Sequence, residues 1–317
     1  MSSAVCCSAN GKSIALKILC KWFFQFFLIL NYHQNQALGQ ARRRGYNARV
    51  DLAQDHNRRV WDERVQQGRL HTRTAREEEF ENPLKAINGR GWITGGLDGK
   101  QVLCLAGGGG LQAPLYAAAG AVVTVVDISP EMIEQDKRVA NERGLKLTAL
   151  VGSMDDLSML ANASFDLVSQ PVSTCYVPNL AKVYDEIARV LRVGGQYLSQ
   201  HKQPTNLQAA PTPFPSGYAV TQSYYDKGPL PPLQGDFEHR EKGALEFVHR
   251  WEELIGGLCR AGFMIEDLAE PNHGNAGAEP GSFRHRSHYV PPYVAIKARR
   301  VDMPALGQAR ATGILSP

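Results

Sequence analysis

The most informative stretch of this sequence is Gln101-Val-Leu-Cys-Leu-Ala-Gly-Gly-Gly-Gly-Leu111. Its first five residues are an apolar run, which is typical of a strand buried on both faces of a sheet. The four glycines let the backbone approach a ligand closely, because they carry no side chains. Residues 111–119 then have a helical pattern, and the start of that helix presents unpaired N–H groups to the same place. The stretch therefore predicts a strand, a ligand-binding turn and a helix.

The residues after this stretch repeat the alternation of strand and helix. Apolar runs predict further strands, which lie at 121–126, 147–151, 165–168 and 196–199. Helical patterns predict helices between them, at 131–143 and 180–191, and Gly194-Gly195 is expected to close the second one. Repeated β-α units with short connections indicate a parallel sheet with helices on both faces.

The C-terminal part predicts a different strand arrangement. A helix is expected at 251–261, and strands are expected at 262–266 and 293–298. The long loop between these two strands suits an antiparallel pair. The whole sequence therefore predicts an α/β fold with three layers, α/β/α. In this fold a Rossmann-like, doubly wound, mostly parallel sheet ends in a C-terminal antiparallel strand pair.

Asp127 is a second candidate for a ligand contact. It ends the second predicted strand, 17 residues after Gly110. In nucleotide-binding folds of this type, an acid at that point accepts hydrogen bonds from ribose hydroxyls. Two alternatives stay open: Asp127 caps the helix that begins at Ser129-Pro130, or the glycines form a tight turn without a ligand.

The glycine turn alone does not distinguish between families that use nucleotides. Gly108-x-Gly110-x-x-Ala113 also fits the dinucleotide pattern, so a NAD-dependent oxidoreductase stays as an alternative. Dehydrogenases, however, more often continue with parallel units or with a separate substrate domain. This chain instead ends in the antiparallel pair described above.

Five segments, in their order and spacing, resemble the motifs of the class I S-adenosylmethionine-dependent methyltransferases, over about residues 100–300. These segments are Val102–Gly110, Asp127–Met132, Gly152–Leu157, Phe165–Val168 and Arg189–Tyr197. The resemblance implies an enzyme that uses S-adenosyl-L-methionine as its cofactor. It also implies that a methyl group passes to the acceptor by direct displacement.

The resemblance also implies a cofactor site of ten residues. These are Trp61, Ala106, Gly107, Gly108, Gly110, Asp127, Ile128, Met154, Asp155 and Gln170. The backbone of the glycine turn would cradle the amino-acid end of the cofactor, and Asp127 would bind the ribose. Ile128 would pack on the adenine, and Met154 and Asp155 would flank its edge.

The candidates nearest to the chemistry follow the fourth and fifth strands. Gln170 would line the methyl-transfer side. A base is needed only when the acceptor carries a proton with a high pKa. His201 would be that base or a hydrogen-bonded loop residue, and Tyr176 would point into the pocket or cap its own loop. Trp61, with Asn57, resembles a lid over the cofactor's amino acid, with core packing as the alternative for Trp61.

Three positions depart from the family pattern. Cys104 stands where the family usually has an acid that meets the ammonium of the cofactor, so another group must meet that charge. Ala106 replaces the first glycine of the turn, and Ser153 replaces a frequent acid. These departures keep a cofactor-binding protein without catalysis as a further alternative.

Charge divides the chain into two unequal parts. Residues 1–100 carry 16 Lys and Arg against 9 Asp and Glu, whereas residues 101–317 carry 19 against 22. The acidic excess of the second part opposes binding to phosphate backbones. A small-molecule methyl acceptor is therefore expected and a nucleic-acid partner is not, although an RNA or protein methyltransferase stays as an alternative. The sequence does not indicate an oligomeric state.

The predicted organisation has four parts. These are an unstructured or signal-like extension at 1–50, a helical cap at 51–95, a methyltransferase domain at 96–300 with an insertion at 203–243, and a tail at 301–317. The insertion would cover the substrate or be a passive loop. The apolar run at 22–30 is too short to span a bilayer, which needs about 20 residues. A cytoplasmic location without a membrane span or a metal site is expected, with a signal-like or surface-anchoring leader at 12–40 as the alternative.

Overall fold

The computed structural model describes residues 52–233, 235 and 237–302. The predictions for the extension at 1–50 and for the tail beyond residue 302 lie outside these residues. The helices are α1 over 52–66, α2 Glu77–Glu81, α3 Pro83–Ile87, α4 Gln112–Ala118, α5 Pro130–Glu142, α6 Leu180–Val190, α7 Pro204–Gln208, α8 Gly257–Arg260 and α9 Phe283–Tyr289. The strands are β1 Gln101–Leu105, β2 Val122–Asp127, β3 Leu147–Val151, β4 Phe165–Gln170, β5 Leu191–Lys202, β6 Phe263–Ala269 and β7 Tyr293–Arg300.

The strands form a seven-stranded sheet in the order β3-β2-β1-β4-β5-β7-β6. The first five strands of this order pair in parallel. β7 is antiparallel to both β5 and β6. The strand order reverses between β1 and β4, and ligands of open α/β sheets bind in the crevice at such a point. The predicted sheet, with its C-terminal antiparallel strands, is confirmed.

The side chains of β1 alternate between the two faces of the sheet, as in any strand. Leu103 and Leu105 join an apolar cluster that includes residues of α6 and α8. Val102 and Cys104 join a second cluster that includes residues of α4. The apolar run predicted for this strand is therefore buried on both sides, which gives the three layers.

Two predicted boundaries are wrong in detail. The helix expected to reach residue 191 ends at Val190, and β5 begins at once at Leu191, so the glycine pair lies inside a strand and not in a turn. The strand tolerates it because Gly194 has a φ of 83° beside a register shift in the pairing of β4 with β5. The helix expected at 251–261 is present over 251–260, one residue shorter, and its first part is a π-helical turn, Glu252–Gly256, ahead of α8.

Proline divides the helical segment ahead of β1. The acidic helix α2 ends at Glu81, and Pro83 is the first residue of α3. Asn82 caps α3, because its side chain accepts the backbone N–H of Lys85 at 3.1 Å. The chain therefore breaks into two short helices at Pro83. The domain boundaries derived from this pattern stay predictions.

Between β5 and β6 the chain leaves the sheet. Its described part at 203–250 contains α7 and two isolated bridges, Ala209 with Val220 and Phe214 with Gly217. None of the helices among the described residues is long and apolar enough to cross a membrane. Those residues also contain no group of three His, Cys, Asp or Glu side chains that could hold a metal ion. The cytoplasmic location stays a prediction.

Candidate cofactor and acceptor site

A cavity of about 760 Å³ opens at the carboxyl ends of β1 and β4, where the strand order reverses. Its volume lies in the range of about 300–1,000 Å³ that is common for small-molecule sites. Nine predicted residues line it: Trp61, Ala106, Gly107, Gly108, Asp127, Ile128, Met154, Gln170 and Tyr176. Three other predicted residues are not among the described residues that line the cavity: Gly110, Asp155 and His201.

The glycine turn is held from behind by a buried carboxylate on α5. Asp136 Oδ2 accepts the backbone N–H of Gly109 at 3.1 Å, and Oδ1 accepts that of Gly110 at 2.9 Å. Burial raises the pKa of Asp136 to about 7, although the bond from Gly110 opposes the shift. Asp136 is not among the residues predicted above. Its signal in the sequence is an acid within the buried stripe of α5, which includes Ile133 and Val139.

Close packing on α5 explains two glycines of the turn. A Cβ at Gly108 would lie 2.9 Å from Met132 Cβ, so no side chain fits there. Gly110 has a φ of 76°, and a Cβ there would lie 2.8 Å from Val139 Cγ2. Gly110 is therefore needed for packing against α5, whereas Gly108 presents bare backbone at the cavity.

Asp127 connects the glycine turn to the start of α5. Its Oδ2 accepts the Gly108 N–H at 3.0 Å, and its Oδ1 accepts the Ser129 N–H at 2.9 Å. The residue is 8% exposed and still lines the cavity. Burial raises its pKa to about 6, against the backbone hydrogen bonds. The capping contact and the position at the cavity therefore coexist, and the two roles considered for Asp127 are compatible.

The residues expected around the adenine divide into two groups. Ile128, the residue after Asp127, and Met154, in the loop after β3, both line the cavity. Asp155 is engaged by neighbours instead, because its Oδ1 accepts hydrogen bonds from Gln54 Nε2 at 2.8 Å and from Ser153 Oγ. Asp155 therefore ties α1 to the loop after β3.

Gln170 lines the cavity with its amide already bonded at both ends. Its Oε1 accepts the Tyr197 hydroxyl, and its Nε2 donates to Ser173 Oγ at 3.0 Å and lies 3.3 Å from Met154 Sδ. These contacts fix the side chain between β4 and β5.

The position of the missing family acid is occupied by a neutral, buried thiol. Burial raises the pKa of Cys104 well above its ordinary value, and the residue is packed in the apolar cluster of α4. The cavity side of the turn offers Gln112, the first residue of α4. Gln112 Oε1 is buried without a hydrogen-bond partner in the described part of the chain, 3.1 Å from where a Cβ on Gly107 would stand. Buried acceptors without a partner are rare, so the Gln112 Oε1 atom indicates a position for a hydrogen-bond donor of a ligand.

One wall of the cavity comes from α1. Asn57 is buried there, and its Nδ2 donates to the carbonyl oxygens of Tyr176 and Leu245, both at 3.0 Å. Its Oδ1 accepts the Leu245 N–H at 2.8 Å. Trp61, one turn later, packs edge-on against Tyr176 with ring centroids 5.5 Å apart. Asn57 is therefore a tie between three segments, and Trp61 is part of the wall.

The chain between α1 and α2 crosses the glycine turn. The Ala75 N–H donates to the Gly110 carbonyl oxygen at 2.9 Å. Just before it, the N–H and Oγ1 of Thr72 both donate to the Arg69 carbonyl oxygen, at 3.1 and 2.7 Å. This turn contains His71, whose φ of 71° lies in the left-handed region. The crossing brings His71 to the cavity, which it lines.

A cluster of buried charges adjoins the cavity. Lys202 Nζ donates to Glu241 Oε2 and, at 2.5 Å, to Glu246 Oε1, while Arg240 also donates to Glu246. The Tyr176 hydroxyl donates to Glu241 Oε2 at 2.6 Å. Two cations thus compensate two carboxylates, as buried charges require. Although burial opposes it, Lys202 lowers the pKa of Glu241 to about 2.

Two members of this cluster, Glu241 and Tyr176, also line the cavity. Burial and the Glu241 carboxylate raise the pKa of Tyr176 well above its ordinary value, so its phenol stays protonated. His71 Nε2 lies 3.9 Å from Glu241 Oε1, the oxygen on the other side of the carboxylate. Of this group, sequence reasoning indicated Tyr176 but not Glu241 or His71, because these come from distant segments.

His201 is in a different environment. It is fully buried, its Nδ1 is 2.8 Å from Thr174 Oγ1, and its Nε2 is 2.8 Å from Ser199 Oγ. Burial, assisted by His249, lowers its pKa to about 3. Its predicted role as a base stays a prediction, which this geometry does not favour.

Comparison with known proteins agrees with this architecture. A family model described as a methyltransferase domain matches residues 103–199. An uncharacterized methyltransferase of Bacillus subtilis, YbaJ, is 33% identical over 69% of this chain and 91% of its own length. A ubiquinone biosynthesis O-methyltransferase of Xanthomonas oryzae is 31% identical over 60% of this chain and 74% of its own length.

Solved structures share the fold. An S-adenosylmethionine-dependent methyltransferase from Mesorhizobium loti aligns with 70% of this chain and 100% of its own, at a TM-score of 0.53 and 20% identity. The chain belongs to the class I S-adenosylmethionine-dependent methyltransferases. S-adenosylmethionine is the cofactor of this family and of this protein.

Proposed function

We propose that this methyltransferase transfers the methyl group of S-adenosylmethionine to a hydroxyl oxygen of a small aromatic molecule. One observation carries the proposal. A single cavity is lined by the glycine turn and Asp127 and also by aromatic side chains, His71 and Glu241. The cofactor and the acceptor would then be adjacent, as direct transfer between them requires.

The glycine-turn end of the cavity fits S-adenosylmethionine. A side chain at Gly107 or Gly108 would meet neighbouring atoms closely, so backbone is what faces a ligand there. A carboxylate has about four lone-pair sites. Two backbone N–H groups bond to Asp127, so sites are left for ribose hydroxyls. Ile128 and Met154 supply apolar surface for the adenine. When bound, S-adenosylmethionine supplies an electrophilic methyl group on a sulfonium sulfur.

The ammonium group of the cofactor needs an acceptor in a chain that has Cys104. We assign this role to Gln112, because its buried Oε1 is unpaired within the described residues and adjoins the glycine turn. A neutral amide oxygen accepts a hydrogen bond from a cation, and hydrogen bonds to charged groups contribute about 1.5–3 kcal/mol. The loss of the family acid is thus compensated from the next helix.

The acceptor end of the cavity favours a flat, apolar molecule. Aromatic side chains contribute to the lining of the cavity as a whole, namely those of Trp61, Trp92, Tyr116, Tyr176 and Tyr293. Aromatic rings prefer offset or edge-to-face contacts with other rings. The O-methyltransferase activity named for the Xanthomonas oryzae relative supports a hydroxyl oxygen as the methyl acceptor.

The competing functions have weaker support. Membership in the methyltransferase family favours methyl transfer over a NAD-dependent oxidoreductase. An RNA or protein acceptor is disfavoured by the acidic excess after residue 100 and by a cavity of small-molecule size. A cofactor-binding protein without catalysis is distinguished from an enzyme only by product formation.

Calorimetric titration with S-adenosylmethionine, S-adenosylhomocysteine and NAD tests the cofactor assignment. We expect binding of the first two and none of NAD; NAD binding in their place would contradict the proposal. Incubation with catechol and methyl-tritiated S-adenosylmethionine then tests the acceptor class, since a labelled methyl ether is extracted into organic solvent. Cofactor binding without any labelled ether would contradict the hydroxyl acceptor.

A further inference from the structure

We propose that His71 is the general base that removes the proton from the acceptor hydroxyl, and that Glu241 orients and stabilises its imidazole ring. This inference rests on the proposed function, because a base is required only when the acceptor is protonated. His71 precedes residues 103–199, which the methyltransferase family model matches.

The position of His71 is built by the surrounding chain. The Thr72 contacts to Arg69 close the turn, and the Ala75 N–H ties the following segment to the glycine turn. His71 has a φ of 71°, a conformation that is uncommon outside glycine and is concentrated at functional sites. Its side chain is 46% exposed and lines the cavity. The imidazole is therefore held at the cavity while it remains accessible to a ligand.

Glu241 provides the fixed charge beside this imidazole. Tyr176 and Lys202 bond to its Oε2, which leaves Oε1 on the side of His71, 3.9 Å from Nε2. With its proton on Nε2, facing this carboxylate oxygen, the ring keeps Nδ1 as the nitrogen that accepts the proton of an acceptor hydroxyl, at the usual O–H hydrogen-bond distance of about 2.8 Å. The carboxylate also stabilises the imidazolium that forms when the proton arrives.

Other titratable groups near this end are poor bases. The Tyr176 hydroxyl is a donor to Glu241 and has a raised pKa. The pKa of Glu241 is about 2, so its carboxylate has little affinity for a proton at neutral pH. Both ring nitrogens of His201 are bonded to hydroxyl groups. His71 is left as the neutral and accessible base.

Burial and the surrounding charges act on the pKa of His71 in opposite directions. Burial lowers its pKa, Glu241 and Glu238 raise it, and Lys202 and Arg64 lower it. The net shift is downward, so the imidazole is neutral and ready to accept a proton at pH 7.

The transfer balances without a further reactant. The acceptor O–H bond breaks and its proton moves to the imidazole of His71. The oxygen electron pair forms the new bond to the methyl carbon. The bond between that carbon and the sulfonium sulfur breaks, and its electron pair stays on the sulfur.

The test compares two acceptors of different acidity: catechol, which is protonated at neutral pH, and 4-nitrocatechol, which is largely ionised. His71→Asn removes the base and keeps the turn, since Asn tolerates the left-handed region. General base catalysis contributes about 10²–10⁴-fold, so we expect kcat/KM for catechol to fall at least about 100-fold. The value for 4-nitrocatechol is expected to stay nearly unchanged. His288→Asn, at an exposed histidine of α9, is the matched control.

The outcomes separate the inference from the proposed function. Equal losses for both acceptors would show that His71 only positions the substrate, and an unchanged catechol rate would exclude it as the base. If the wild-type enzyme methylates neither phenol, the hydroxyl acceptor fails and the base fails with it. S-adenosylhomocysteine titration of each variant verifies that the cofactor end is intact.

A pH profile tests the contribution of Glu241. Activity requires the neutral imidazole, so the acidic limb of kcat/KM for catechol follows the pKa of His71. Because Glu241 raises this pKa, Glu241→Gln is expected to move the limb to lower pH. A limb that does not move would contradict the pairing of the two residues.

Discussion

Asp136 Oδ1 accepts a hydrogen bond of 2.9 Å from the Gly110 N–H. This carboxylate lies on the interior side of the glycine turn, and the opposite side of the turn faces the cavity. Asn at this position could accept from one of the two glycine N–H groups, but its own N–H₂ would face the second. We expect Asp136→Asn to lower the free energy of unfolding by about 1–3 kcal/mol, the cost of one unpaired buried donor. Urea unfolding at pH 7 measures this, with Asp226→Asn on the surface as the control. Equal stability of the two variants would contradict it.

The same residue makes stability depend on pH. The pKa of Asp136 rises from 3.8 to about 7 on folding, so the folded state binds its proton more tightly. The stabilisation is fully present below about pH 4 and is lost as pH rises to about 7. We expect the unfolding free energy of Asp136→Asn to fall less steeply than that of the wild type over this interval. Asp127, with a pKa of about 6, accounts for part of the remaining slope. Identical slopes would show that Asp136 does not titrate there.

Replacement of Asp127 tests the proposed ribose contact. A hydrogen bond that involves a charged group contributes about 1.5–3 kcal/mol. We therefore expect Asp127→Ala to weaken S-adenosylmethionine binding by about 10- to 150-fold in calorimetric titration. Asp226→Ala provides a matched change of charge at an exposed site. Unchanged affinity in Asp127→Ala would mean that Asp127 only caps α5.

Replacement of Gln112 tests whether its side chain meets the amino-acid end of the cofactor. We expect Gln112→Ala to weaken S-adenosylhomocysteine binding by about 10-fold or more, because one hydrogen bond to an ammonium is lost. Binding of 5′-methylthioadenosine, which lacks the amino acid, is expected to be unchanged. Equal losses for the two ligands would instead indicate a general distortion of the turn.

Replacement of Lys202 tests how much the buried charge cluster contributes to the free energy of unfolding. Removing one partner of a buried ion pair costs about 3–5 kcal/mol, since an uncompensated charge is left behind. We expect a loss of this size in Lys202→Met, where Glu241 and Glu246 both lose a partner. Lys137→Met, which breaks an exposed pair with Glu134, is expected to cost less than about 1 kcal/mol. Urea unfolding compares them, and similar costs would contradict a buried network.

The sheet could be predicted because the local sequence of each strand has a recognisable apolar pattern. β1 and β2 are short, mostly buried apolar runs between turns, and a strand buried on both faces needs no other information. β3 is a partly exposed edge strand, which its apolar residues between turns still indicate. The limits of β5 could not be predicted in this way. The pair Gly194-Gly195 reads as a turn in isolation, and Gly194 keeps a turn-like φ of 83°. Pairing of β5 with β4 on both sides of the pair, at Leu191 and from Gln196 onwards, makes it an irregular part of one strand.

The site was predictable to the extent that it depends on backbone shape. The glycine turn and Asp127 follow from spacing along one chain segment. Glu241 meets Lys202 across 39 residues, and His71 reaches the same cluster from a segment far before the sheet. Such contacts depend on the packed fold, and no local pattern carries them. Asp136 is intermediate, because an acid within an apolar helical stripe is visible but has no evident partner.

The hydrogen bond from Ala75 to Gly110 has a consequence for how this protein can be divided. The family model matches the chain from residue 103 onwards. The Gly110 carbonyl oxygen nevertheless accepts its hydrogen bond from Ala75, which lies almost thirty positions before that match begins. Asn57 likewise joins α1 to the backbone at Tyr176 and Leu245. A gene fragment that encodes only the β-α repeats would therefore lack hydrogen bonds that hold the glycine turn and the loop at Tyr176.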